Sequence, residues 1–179
     1  AGQGLRAGQP VPKQFAIWRG KPVVRHSVEA FELAGIERIV VAIPADAQDV
    51  ASAALEGIAG VRLVAGGVTR QQSVQRALDE LAADPPDAVL IHDAARPVLP
   101  LSTIDRLRAA LNVHAGAIPV LPVVDSMIDE RGGMMGSPVP REALRRVQTP
   151  QAFRFDAILS AHRAWPGDPV AGDDAQVAQ

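Results

Sequence analysis

The chain has 179 residues, of which 47% are hydrophobic and 21% are charged, so it can form one globular domain of ordinary size and is not a disordered chain. Its net charge of −2 argues against a nucleic-acid-binding protein that relies on bulk positive charge, and no apolar run reaches the about eighteen residues that a membrane-spanning helix needs. The absence of cysteine excludes disulfides and thiolate metal sites and fits a cytoplasmic protein.

The first fifteen residues combine glycine with positive charge and contain no carboxylate. Gly2, Gly4, Arg6 and Lys13 lie in this stretch, and Lys13 is one of two lysines among eighteen basic residues. Glycine lets backbone amides approach phosphate oxygens closely, and successive amides can form an anion nest. The opening therefore predicts a phosphate-wrapping loop, with a solvated, flexible terminus as the alternative.

Strand-like and helix-like patterns alternate along the chain. Short runs rich in valine, isoleucine and leucine, typical of strands buried on both faces of a parallel sheet, occur at 38–44, 61–66, 88–93 and 117–123. Helical patterns occupy 21–35, 46–58, 69–83 and 101–115. This alternation predicts right-handed βαβ units and a three-layer α/β domain with a mostly parallel sheet.

The stretch GGVTRQQS at 66–73 follows a predicted strand and begins a predicted helix. Thr69 and Gln72 have the spacing of a capping box, which places the helix start there. Capping does not account for the two glycines, Arg70 or Ser73. A ligand held close to the backbone before a helix N-terminus would account for them.

The stretch HDAARP at 92–97 comes at the carboxyl end of a strand, where open α/β sheets bind their ligands. Asp93 is a hard oxygen donor suited to Mg²⁺ held together with substrate phosphates, although a turn or N-cap acid is the alternative. Arg96 follows two small alanines. His92 is expected to point to the opposite side of the strand, into the core.

The segment 129–144 interrupts the alternation because it is rich in glycine and proline. It predicts either an excursion from the sheet or a disordered loop. Two further stretches, VQTPQAF at 147–153 and GDDA at 172–175, are polar loop sequences that indicate little alone.

Taken together, these motifs resemble the 2-C-methyl-D-erythritol 4-phosphate cytidylyltransferase family. The motifs are GxGxR at 2–6, PKQ at 12–14, GGxxRxxS at 66–73, HDAARP at 92–97 and TPQ at 149–151. The resemblance implies a Rossmann-like nucleotidyltransferase sandwich in one domain, 1–179, with a protruding dimerisation arm at about 122–146. It also implies a strand before the glycine loop and a further C-terminal part, and some relatives are fused to a cyclodiphosphate synthase.

The resemblance also implies roles for individual residues. Those that stabilise the reacting phosphorus would be Arg6 and Lys13, and the metal ligand would be Asp93. The nucleotide-binding residues would be Ala1, Gly2, Gly4, Gly67 and Ser73, and the substrate-binding residues would be Arg96, Ser126, Arg141 and Thr149. Ser126 replaces a common threonine but keeps the hydroxyl, whereas Gly172 stands where a threonine is expected and supplies no side-chain contact.

The activity implied is transfer of CMP from CTP to methylerythritol phosphate, with Mg²⁺, in a cytoplasmic homodimer that contacts neither nucleic acid nor membrane. The nearest alternative is a ribitol-5-phosphate cytidylyltransferase, which has a similar fold and similar loops. An alternative of another class is a nucleotide-binding module without catalysis.

Overall fold

The computed structural model describes residues 12–167 and 171–179, so Ala1, Gly2, Gly4 and Arg6 lie outside the described residues. The helices are α1 (Val23–Leu33), α2 (Gln48–Ala54), α3 (Arg70–Leu81), α4 (Leu101–Ala110), α5 (Phe155–Ala164) and α6 (Asp174–Val177). The strands are β1 (Ile17–Trp18), β2 (Lys21–Pro22), β3 (Ile39–Ile43), β4 (Val61–Ala65), β5 (Ala88–Ile91), β6 (Gly116–Ala117), β7 (Val120–Pro122), β8 (Met127–Arg131), β9 (Met134–Val139), β10 (Arg145–Val147) and β11 (Gln151–Arg154). Short 3-10 helices cover Lys13–Phe15 and Arg141–Ala143. None of the helices in the described ranges is long and apolar enough to cross a membrane.

Strands β3 and β4 form the predicted parallel βαβ unit, with α2 as the crossover. They pair in register from Ile39 opposite Val61 to Ile43 opposite Ala65. Side chains of β3 alternate between two hydrophobic clusters: Ile39 and Ile43 pack with α1 and α2, whereas Val40 packs with α3 and α5. Helices therefore cover both faces of this strand, and the α/β layering is confirmed.

The second sheet corrects the prediction of a mostly parallel sheet. Strand β11 lies between β5 and β6 and is antiparallel to both, so β3–β4 is the only parallel pair among the described strands. A continuous apolar run indicates burial on both faces and carries no information about strand direction. The predicted strand at 117–123 is also divided into β6 and β7, with Pro119, which has no N–H to donate, between them.

The segment predicted to be either an excursion or a disordered loop is an ordered antiparallel excursion. Strands β7 and β10 pair at its base, and β8 and β9 form a hairpin beyond them, turning at Gly132 and Gly133, which have φ of 60° and 82°. Glycine is the residue that adopts this left-handed conformation without strain. The hairpin has exposed apolar side chains: Met127, Ile128, Met134 and Met135.

Candidate active site

The predicted start of helix α3 is confirmed at the end of β4. Thr69 Oγ1 accepts a hydrogen bond from the Gln72 backbone N–H at 3.1 Å, so Thr69 is the N-cap. The Gln72 side chain reaches back, and its Oε1 accepts from the Val68 N–H at 2.9 Å. The capping side chains thus satisfy two backbone donors and fix the turn from which Arg70 projects.

Packing, rather than a ligand, explains Gly67 in this structure. A Cβ added at Gly67 would lie 2.3 Å from the Cβ of Gln72, so only glycine fits against the first turn of α3. The Gly67 N–H also donates to Ser73 Oγ at 3.0 Å, and this hydroxyl donates to the Thr69 carbonyl at 2.9 Å. Ser73 is buried and closes the loop onto the helix. Its predicted contact with a nucleotide base stays a prediction.

The two lysines have different surroundings. Lys13 is exposed in the 3-10 helix that ends at Phe15, and burial of the Phe15 ring fixes this short segment to the core. Lys21 forms an ion pair with Glu29, with Nζ 2.8 Å from Oε2. Lys21 therefore has a structural role on α1, and Lys13 is the lysine that faces a cavity.

Asp93, at the end of β5, lies between two arginines. Its Oδ1 is 3.4 Å from Arg70 Nε, and its Oδ2 accepts from Arg96 Nε at 3.1 Å. The Arg96 backbone N–H donates to the Asp93 carbonyl at 2.9 Å, so the two residues also close a turn. Arg96 Nη1 donates to Gln148 Oε1 at 2.6 Å. The carboxylate is half-buried, and each of its oxygens lies next to an arginine side chain.

His92 connects this loop to Thr149. Its Nε2 lies 3.0 Å from the Arg96 carbonyl, which can only accept, so we assign the ring proton to Nε2. Nδ1 then accepts from the Thr149 hydroxyl at 2.9 Å, and Thr149 Oγ1 accepts from the Asp93 N–H at 3.2 Å. Burial lowers the pKa of His92, which favours this neutral form. The ring packs edge-on against Phe31, but it also lines the larger cavity, so the prediction that His92 points away from this side into the core is wrong.

A buried network around Asp174 was not predicted from the sequence. Asp174 Oδ2 accepts from Arg70 Nη2 at 2.6 Å, and Oδ1 lies 3.2 Å from His162 Nε2, although the alignment of this second pair is poor for a hydrogen bond. Burial alone would raise the pKa of Asp174. Contacts with His162 and Arg70 outweigh it, so the pKa lies below its ordinary value. The two aspartates of GDDA are evident in the sequence, but nothing in their spacing indicated that one of them would pair with an arginine.

Two cavities meet at this group of residues. The larger, of about 970 Å³, is lined by Lys13 and Ser73 as well as Arg70, Asp93 and Arg96. The smaller, of about 210 Å³, shares Arg70, Asp93 and Arg96 with the larger one. Its other lining residues are Val147, Gln148, Thr149, Gln151, Gly172 and Asp173. Of the predicted site residues, Asp93 and Arg96 thus line both cavities, Lys13 and Ser73 line the larger one, and Thr149 lines the smaller one. Their roles stay predictions.

Ser126 and Arg141 are not brought to these cavities within their own chain. Both are exposed and lie on the excursion, and neither lines the larger or the smaller cavity. Arg141 instead donates to the Val124 carbonyl at the base of the hairpin. Any contact of these residues with a substrate therefore requires a second subunit or a rearrangement.

The donor set suits one kind of metal site. Within 12–167 and 171–179, no group of three or more histidine, aspartate or glutamate side chains is arranged to hold a metal ion. Mg²⁺ often takes only one or two carboxylates and completes its shell with substrate phosphates and water. Asp93, at the edge of both cavities, fits that mode of binding.

Comparison with known proteins identifies relatives over the whole chain. The family profile of IspD, 2-C-methyl-D-erythritol 4-phosphate cytidylyltransferase, matches residues 1–179. The chain is 65% identical over 177 residues to the bifunctional enzyme IspD/IspF of Novosphingobium aromaticivorans, covering 99% of this chain and 46% of that protein. The chain thus spans about half the length of such bifunctional relatives.

Two shorter relatives are covered more completely. The chain is 45% identical over 182 residues to the 2-C-methyl-D-erythritol 4-phosphate cytidylyltransferase of Cereibacter sphaeroides, covering 100% of this chain and 80% of that protein. The crystal structure of the same enzyme from Thermus thermophilus superposes with a TM-score of 0.80 at 36% identity, covering 94% of this chain and 78% of that one. By profile, sequence and fold, the chain belongs to the 2-C-methyl-D-erythritol 4-phosphate cytidylyltransferase family.

Proposed function

We propose that this chain transfers CMP from CTP to 2-C-methyl-D-erythritol 4-phosphate, giving 4-diphosphocytidyl-2-C-methyl-D-erythritol and pyrophosphate for isoprenoid biosynthesis. The observation that carries the proposal is the convergence of Lys13, Asp93, Arg96 and Thr149 around two adjoining cavities. The residues that line both cavities are charged, and charged side chains at such a junction suit two phosphorylated substrates reacting with each other, although apolar side chains of β3 and β5 line much of the larger cavity. Membership of the family supports the same reaction.

The reaction needs positioning and charge neutralisation more than it needs a base. An oxygen of the methylerythritol phosphate attacks the α-phosphorus of CTP in line; a new P–O bond forms as the bond to the β-phosphate breaks. A phosphate monoester is already ionised near neutral pH, so no protein group has to remove a proton. Lys13 lines the larger cavity and would neutralise charge on the triphosphate, together with Arg6.

We propose Mg²⁺ as the cofactor, held by Asp93 together with the triphosphate, whose negative charge it would reduce when bound. Asp93→Asn keeps the size of the side chain and removes the charge. We expect this variant to lose most activity and to need more Mg²⁺. Mn²⁺ binding in the presence of CTP, followed by electron paramagnetic resonance, should weaken in parallel. Unchanged Mn²⁺ binding would mean that Asp93 is a turn residue held by its arginines.

Pyrophosphate release tests the reaction directly. The full-length protein should release pyrophosphate from CTP with methylerythritol phosphate, and much more slowly with ribitol 5-phosphate or with no acceptor. Faster release with ribitol 5-phosphate would identify the other cytidylyltransferase. CTP binding without pyrophosphate release, whichever acceptor is added, would instead identify a nucleotide-binding module without catalysis.

We also propose that the protein is a homodimer in which the hairpin arm brings Arg141 to the partner's site. The exposed apolar side chains of β8 and β9 support this, as does the fact that Arg141 lines neither cavity of its own chain. Arg6→Ala and Arg141→Ala homodimers should each be nearly inactive. After subunit exchange, half of the dimers would carry one intact site, so activity should recover to roughly a quarter of wild type. No recovery after proven exchange would mean that Arg141 acts within its own chain.

A further inference from the structure

Arg70 lies where the two cavities meet, and the roles proposed above do not use it. It lines both the larger and the smaller cavity, and its guanidinium lies between two carboxylates. Nη2 donates to Asp174 at 2.6 Å, whereas Nε is 3.4 Å from Asp93. The closer and more buried of the two carboxylates, Asp174, therefore determines where the guanidinium sits.

Asp174 is itself held in place from a neighbouring strand. Its side chain is fully buried, and its backbone N–H donates to Gln151 Oε1 at 3.0 Å. Gln151 is also fully buried and accepts from the Ala175 N–H at 3.0 Å. Burying a carboxylate is costly unless it is paired, and a buried ion pair seldom adds net stability over apolar packing. Stability alone is therefore a weak reason for this arrangement.

Among the described residues, one donor of Arg70 has no acceptor. Nη1 is buried and has no hydrogen-bond partner in the part of the chain that the structure describes. A buried guanidinium N–H that lacks a partner costs free energy, and it is expected where a ligand supplies the missing acceptor. The smaller cavity, lined by Arg96 and Thr149 as well, is polar and adjoins the triphosphate site proposed above.

We propose that Arg70 binds the phosphate group of the accepting substrate, and that Asp174 is a positioning residue that aims Arg70 at it. This inference rests on the proposed function and adds to it a residue that binds the accepting substrate where the two cavities meet. A phosphate monoester carries up to two negative charges and suits the planar fork of a guanidinium. Arg70 and Arg96 would contact it from the two sides of the smaller cavity.

The first test separates the two substrates in the full-length protein. Arg70→Gln should lower kcat/KM for methylerythritol phosphate by roughly 10- to 100-fold, the loss expected for a charge-assisted hydrogen bond, and change the calorimetric Kd for CTP by less than about threefold. Asp174→Asn should lower the same kcat/KM by about tenfold. Because Asp174 acts through Arg70, the double variant should be no worse than Arg70→Gln within about twofold.

A matched control uses a second ion pair of α3, which joins this helix to α5 instead of α6. Asp79 pairs with Arg163 at 2.6 Å, but both side chains are exposed. Asp79→Asn should change kcat/KM by less than about twofold, since exposed pairs contribute little. Asp174→Asn also removes a buried charge, so the melting temperature of each variant is measured alongside the kinetics.

Chemical rescue tests positioning independently of stability. Arg70→Ala leaves a space beside Asp174 that a guanidinium ion can fill, so millimolar guanidinium should raise the activity of this variant several-fold. The rescue should disappear in Arg70→Ala combined with Asp174→Asn. An active wild type whose Arg70→Gln variant keeps its kcat/KM would overturn this inference alone. A wild type with no transferase activity would overturn the proposed function and the inference together.

Discussion

The Thr149 hydroxyl joins the two halves of the site, and its removal should cost both stability and activity. Thr149→Val keeps the shape of the side chain and deletes the hydroxyl. Two groups lose their partner at once: the Asp93 N–H, now 3.2 Å from Oγ1, and His92 Nδ1, now 2.9 Å from it.

The expected cost follows from these two groups. A buried donor or acceptor left without a partner costs about 1–3 kcal/mol, and both groups here are only partly buried, so we take the lower half of that range for each. The sum is about 2–4 kcal/mol in the free energy of unfolding. For a chain of 179 residues this corresponds to a melting temperature roughly 4–16 °C lower.

Thr149→Ser is the matched control because it keeps the hydroxyl and loses only a methyl group. Urea unfolding should place it within about 1 kcal/mol of wild type. Turnover with saturating CTP, measured by pyrophosphate release, should fall clearly for Thr149→Val and little for Thr149→Ser. If the valine variant unfolds at the same urea concentration as wild type, water satisfies both groups and the reasoning from this geometry fails.

Three further changes test other parts of the site and its support. Lys13→Ala should lower kcat by roughly 10²–10³ with a smaller effect on CTP affinity, and Lys13→Arg should restore it only in part. Gly67→Ala should destabilise the protein by about 1–3 kcal/mol in urea unfolding, because its Cβ would overlap Gln72. The hydrogen bond from Lys21 holds the pKa of Glu29 below its ordinary value of 4.5. Glu29→Gln should therefore be less stable than wild type by up to about 1 kcal/mol above pH 5, with the difference closing as the pH falls below 4.

Local features of the site could be predicted from the sequence because they depend on residues close together in the chain. The Thr69 cap needs only Gln72, three residues away, and the parallel pair β3–β4 needs only the crossover between them. The position of Asp93 follows from its place at the end of an apolar strand. Each of these three features depends on a stretch of no more than about thirty residues. Over such a stretch, hydrophobic periodicity and helix-capping rules can be applied to the sequence directly.

The contact of Arg70 with Asp174 spans 104 residues and has no such local rule. Capping predicts that Arg70 is at the first turn of α3, where a side chain points back toward the helix N-terminus. It does not predict which carboxylate will contact the Arg70 guanidinium. That depends on Gln151, which holds the backbone of Asp174 and is the first residue of β11.

The direction of β11, which the apolar pattern could not supply, is therefore what assembles the site. Antiparallel pairing puts Gln151 opposite Ile91, so the chain before Gln151 runs alongside the chain after Ile91. Thr149 is then level with Asp93, and the Asp93 N–H reaches its hydroxyl. A β11 parallel to β5 would place Thr149 beside the first residues of β5, far from Asp93. One reversal of strand direction thus brings the loop at 147–151, the HDAARP loop and, through Gln151, Asp174 to the same edge of the sheet.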